Sequence, residues 1–164
     1  MQIMIITTIV LCILFTVFIM AGAKVNPIAG LHNLPVDIQK RVHSIPEYQG
    51  KLGKILSTRE RIMKKIPALV LILFVFASLV HFAGTSSFWS GFGYAFLVWG
   101  VVKIYVTLVM NCGWYAHSPS VWPKGTEDMK ASYQDYKFYL SSIPRSLLAG
   151  AIVAVIIGIM MEVL

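Results

Sequence analysis

Four stretches of the chain are apolar and almost free of charge: residues 4–21, 67–83, 88–112 and 147–161. Polar connections at 24–65 and 115–144 follow the first and third, while only Gly84 to Ser87 stands between the second and third. A hydrocarbon core of roughly 30 Å is crossed by about 20 helical residues. Lipid also forces every backbone group to be bonded internally, which selects helices. The pattern therefore predicts an all-α membrane protein forming one membrane domain over 1–164, with four transmembrane helices and interfacial amphipathic helices in its two long connections. Ala21-Gly22-Ala23 resembles a signal cleavage site, but no basic segment precedes the apolar run, so the first stretch reads as a retained span.

The two connections carry helix signals of their own. In Asn33-Leu34-Pro35-Val36-Asp37-Ile38, Asn33 is a candidate cap, Pro35 suits a first helical turn and Asp37 suits the positive end of the helix dipole. Val36, Ile38 and Val42 interleave with Lys40 and Arg41 as in a helix lying at the headgroup boundary, and Ile45-Pro46 ends it. Ser57-Thr58-Arg59-Glu60 fits a capping box, which starts the second long helix before its apolar part. In the later connection Pro123-Lys124-Gly125 predicts a turn, Thr126 an N-cap, and Glu127 and Asp128 a helix start. Met129, Tyr133, Tyr136 and Leu140 recur at helical spacing, predicting one amphipathic helix with an aromatic edge, after which Ser142 and Pro144 open the last span.

Composition agrees with the pattern: 57% of residues are hydrophobic and 13% charged, with a mean hydropathy of +0.75. A soluble enzyme, with roughly 25% charged residues, is excluded. Nine of the fourteen basic residues lie between the first two spans, against three acids, Asp37, Glu47 and Glu60. The positive-inside rule places that connection in the cytoplasm, and Lys124, Lys130, Lys137 and Arg145 place 115–144 there too, leaving both termini external. The expected partners of the net charge of +7 are anionic lipids, met by Lys40, Arg41, Arg59, Arg61, Lys64 and Lys65. Nucleic acid is not expected, because no aromatic interleaving or binding motif accompanies the basic run. Cys12 and Cys112 fall near opposite membrane faces and predict no disulfide.

Candidate chemistry is sparse. Lys103 lies near the middle of the third apolar stretch, where a lysine is costly and usually faces protein or water. Thr107 and Asn111 follow at i+4 and i+8, so the three form a polar stripe that could line a pore or hold a ligand. His117, Glu127, Asp128 and Asp135 could gather at the cytoplasmic interface, although capping and solvation also account for the acids. His81 and His117 fall on opposite sides and cannot share a metal, and His32 with His43 is a weak pair; no metal site is predicted, and the sequence leaves the cofactor open. Gly150-x-x-x-Ala154-x-x-x-Gly158 is a close-packing pattern that fits contacts within one chain or between protomers of a homo-oligomer.

Several short segments together, Asn26-Pro27, Leu34-Pro35 with Ile38-Gln39, Trp122 to Met129, and Tyr133-Gln134-Asp135-Tyr136-Lys137-Phe138, resemble a family of small uncharacterised bacterial inner-membrane proteins. The resemblance rests on a Pro-Gly-Thr-Glu-like turn and a Tyr-Asp-Tyr run before the last span. Lys103 and Tyr139 stand where that family carries an acidic residue and a histidine. The resemblance implies the bacterial inner membrane and brings no activity with it. Three functions follow as expectations. The first is a non-catalytic bundle binding lipid or a membrane partner. The second is an enzyme acting on a lipid or isoprenoid head group, and the third a small oligomeric transporter or channel lined by Lys103.

Overall fold

The computed structural model describes residues 1–52 and 58–163, leaving out the side chains at 58–62, 64–66, 68, 69 and 72. Among the described residues every element is helical, and three helices are long and apolar enough to cross a membrane: Gln2–Val25, Phe88–His117 and Ser142–Val163. The second predicted span falls on a helix that runs Thr58–Phe82 through Pro67. Its described apolar part, Leu73–Phe82, is shorter than a span. The capping box at Ser57 and Glu60 lies outside the described residues.

The chain divides into two compact units. Unit 1 comprises Met1–Leu11, Ile55–Lys103 and Pro144–Leu164. It holds the start of α1 (Gln2–Val25), α4 (Thr58–Phe82), α5 (Phe88–Tyr105) up to Lys103, and α8 (Ser142–Val163) from Pro144. In α8 the buried positions Gly150, Val153, Ala154, Ile157, Gly158 and Met161 follow the three-and-four spacing of one helical face. That face meets α5. A Cβ on Gly150 would strike the Trp99 ring, one on Gly158 would lie 2.8 Å from Phe88 Cδ2, and one on Gly91 would lie 2.8 Å from Met161 Cγ. The start of α5, at Phe88 and Gly91, meets the end of α8, at Gly158 and Met161, while Trp99 meets Gly150 further back, so α5 and α8 are antiparallel. The small-residue stripe is thus filled by aromatic rings of the same chain. Trp99 is fixed by its Nε1 donating to Ser146 O at 3.0 Å, and the Glu162 carboxylate accepts from the Phe88 amide at 2.7 Å, where α5 begins and its dipole favours an anion. Tyr94 donates to Thr7 Oγ1 at 3.0 Å, tying α1 to α5 inside the unit.

Unit 2 comprises Cys12–Lys54 and Ile104–Ile143. It contains α2 (Val36–Ser44), α3 (Pro46–Gln49), a π-helical stretch over Val106–Trp114, α6 (Lys130–Tyr133) and α7 (Tyr136–Leu140). Three sequence expectations are corrected here. Asn33 does not cap α2: Leu34 is extended, as a residue before proline tends to be, and Pro35 occupies the cap position without a side-chain bond. The helix expected from Thr126 to Leu140 is two short helices, because the Asp135 carboxylate accepts from the Phe138 amide at 3.2 Å and starts a new one. Thr126 caps neither; it is fully buried. The expected break at Ile45-Pro46 is present, with Pro46 opening α3. So is the turn at Gly125, whose φ of +83° suits a residue without a side chain.

Candidate functional site

Unit 2 has a core of aliphatic and aromatic side chains from both polar connections. Leu31, Leu34, Ile38, Val42 and Tyr48 come from the first, and Val121, Trp122 and Tyr133 from the second. Ile38 and Val42 are fully buried, so α2 turns its apolar face to protein, while Val36 is 55% exposed. Trp122 and Tyr133 stack with ring centroids 3.9 Å apart and planes 5° from parallel. The Tyr133 hydroxyl meets Thr126 Oγ1 at 2.7 Å, and Thr126 Oγ1 donates to Pro123 O at 2.7 Å. Tyr48 Oη accepts from the Lys124 amide at 2.8 Å, and Arg41 Nε donates to Gly125 O at 3.2 Å. These bonds hold the Pro-Lys-Gly-Thr turn against α2 and α3. Burial pushes the Tyr133 phenol up to about 12, only partly offset by the Thr126 hydrogen bond. Burial likewise raises the Tyr139 phenol, with Tyr133, Cys112 and Asp135 adding to the effect. Both phenols are neutral across the physiological range.

The predicted site residues fall on several elements. Lys103 is half-buried in the last turn of α5. Thr107 and Asn111 lie in the π-helical stretch, Thr107 fully buried and Asn111 half-buried. That stretch has i→i+5 bonding, so the α-helical spacing that put the three on one face does not hold past Tyr105. His117 is exposed; its Nδ1 meets Gly113 O at 2.9 Å and its ring stacks on Tyr136 with centroids 6.4 Å apart. Glu127 accepts from the Gly125 amide at 2.7 Å, Asp135 caps α7, and Asp128 is exposed. Two of the three acids are therefore occupied locally, Asp135 as a helix cap and Glu127 at a turn. Among the described residues no three His, Cys, Asp or Glu side chains approach closely enough to hold a metal.

Of the candidate lipid contacts, Lys40 is exposed, and Arg41, also exposed, additionally bonds Gly125. Arg59, Arg61, Lys64 and Lys65 occupy the first eight positions of α4, with side chains outside the described residues. Unit 1 has an apolar groove of about 350 Å³, lined by Phe74, Ala77, Ser78, His81, Phe82 and Met160. Sequence reasoning missed Thr126, Tyr48, Trp122 and Tyr139 as structural centres. The signal was there in Tyr115, Trp122, Tyr133, Tyr136, Phe138 and Tyr139, more aromatic surface than a solvated connection needs.

Together these features define an all-helical protein with three helices suited to a membrane. The chain matches no protein-family model, and neither a curated protein nor a solved structure matches it.

Proposed function

We propose that the chain is a non-catalytic integral membrane protein that binds anionic lipid headgroups through the basic start of α4. The observation that carries this is the continuity of that helix. Thr58–Phe82 holds Arg59, Arg61, Lys64 and Lys65 with Glu60 as the only acid, and leads directly into apolar sequence. Basic clusters at that position beside a span attract anionic headgroups, each charge contributing about 1 kcal/mol near the surface. Elsewhere the charges are mixed: Lys40, Arg41, Lys124, Lys130 and Lys137 of unit 2 are accompanied by Asp37, Glu127, Asp128 and Asp135. The reading includes α4 as a fourth span, both connections on the cytoplasmic side of a bacterial inner membrane, and external termini. The occupied carboxylates favour it over a head-group enzyme.

The test is native mass spectrometry of protein released from nanodiscs of phosphatidylcholine mixed with phosphatidylglycerol. Retained phosphatidylglycerol above its bulk share is expected, and that excess should vanish when Arg59, Arg61, Lys64 and Lys65 are all changed to Gln. Adducts that follow the bulk lipid ratio in the native protein would overturn the proposal.

A further inference from the structure

Two buried hydroxyls of unit 2, Thr107 Oγ1 and Tyr139 Oη, have no hydrogen-bond partner among the described residues. Thr107 is fully buried and Tyr139 is 3% exposed. Other hydroxyls on the long helices solve this locally: Thr8, Thr16 and Ser78 each donate to the carbonyl four residues back. Thr107, in the first turn of the π-helical stretch, does not. Its surroundings join it to Tyr139 by short steps. The helix α7, which carries Tyr139, packs on the π-helical stretch. The Tyr139 hydroxyl lies within electrostatic reach of the Cys112 thiol, and Cys112 stands five residues after Thr107, one π-helical bond away.

We propose that Thr107 and Tyr139 share a buried water-binding site between the π-helical stretch and α7. Buried polar groups in native proteins are almost always bonded, to protein or to ordered water. Water suits this pair, because it accepts from one hydroxyl while donating to the other and makes about three hydrogen bonds in protein interiors. An ion does not suit it. The nearby Asp135 charge repels an anion, and its carboxylate is exposed and turned to the Phe138 amide, so it does not offset the desolvation of a buried cation. Full burial of both hydroxyls restricts the guest to a small one. The inference is independent of lipid binding.

A double-mutant cycle on the full chain in detergent tests it, using Thr107→Val, Tyr139→Phe and the double variant, with apparent Tm as the readout. Both substitutions keep the side chain's shape and remove only a hydroxyl. A shared water predicts that each single variant loses a few degrees and that the double loses clearly less than their sum, since either single already breaks the common bridge. An unchanged or raised Tm in the singles would show solitary hydroxyls whose removal relieves a penalty, and would overturn the proposal. Additive losses would indicate two separate partners and overturn it equally. Infrared difference spectra in heavy-oxygen water give a second readout that needs only Tyr139→Phe to fold. A bound-water O–H band in the native protein that this variant lacks is expected, and identical spectra would count against the site.

Discussion

Tyr133 shows how one proton holds the loop module together. Thr126 Oγ1 has two neighbours at 2.7 Å, Pro123 O and Tyr133 Oη. A carbonyl only accepts, so the Thr126 proton goes to Pro123 and the Tyr133 phenol must donate to Thr126. Ionising that phenol removes the donor and buries a charge against Trp122. Burial holds the folded phenol at about 12 against a usual 10. A raised acid contributes stability that is complete below the unfolded value, so its share persists up to about pH 10 and disappears as pH rises through about 12. Spectrophotometric tyrosine titration combined with melting curves should show late tyrosinate formation together with falling Tm in that window, and a Tyr133→Phe variant should lose that component. Thr126→Val leaves the phenol buried without an acceptor and should cost about 1–3 kcal/mol in chemical unfolding. None of this was legible in Thr126-Glu127-Asp128, because a hydroxyl followed by two acids is what a helix start looks like. Only the fold reveals that Thr126 is inside, with Glu127 turned back to the Gly125 amide.

Among the elements, the α5–α8 pair is where small residues matter. Gly150 abuts the Trp99 ring, and that ring is held by its bond to Ser146, so the ring cannot easily yield. Gly93, on the same helix as Trp99, has nothing within 4 Å of an added Cβ. Gly150→Ala should therefore destabilise by about 1–3 kcal/mol through overpacking. Gly93→Ala should stabilise by about 0.5–1 kcal/mol by relieving helix glycine. Equilibrium unfolding of the two variants in mixed micelles checks both signs. Equal effects would mean that the ring moves aside at little cost. The glycine pattern was visible in the sequence, but whether it served one chain or two became clear only from the rings that fill it. Hydropathy gave α1, α8 and the reach of the third helix well, since it depends on composition alone. It could not reveal that α-helix passes into π-helix at Val106, because Val106 to Met110 are as apolar in one geometry as in the other. Helical spacing likewise joined Tyr133 to Tyr136, whereas the Asp135 cap separates them, leaving one ring fully buried and the other 42% exposed.

At the scale of the whole molecule, charge along the chain sets the proposed topology. The basic residues cluster in 24–65 and recur in 115–144, while Gly84 to Ser87 carries none. Lysine and arginine in short connections are retained on the cytoplasmic side, so the proposed orientation makes opposite demands on two exposed serines. Ser44 ends α2 in the basic connection, and Ser86 stands in the uncharged one. Cys12 and Cys112 are free and would otherwise react, so a background with both changed to Ser is needed. In that background, Ser86→Cys should be labelled by a membrane-impermeant maleimide on intact bacterial cells, and Ser44→Cys only after the membrane is opened. The two positions together also test the membrane role of α4. If Thr58–Phe82 crosses, the reagents find Ser44 and Ser86 on opposite sides; if it lies on one face instead, both sites react under the same condition. Labelling of the two on one side would remove the fourth span and the charge-based orientation together, whereas reversed labelling would keep the span and overturn only the orientation.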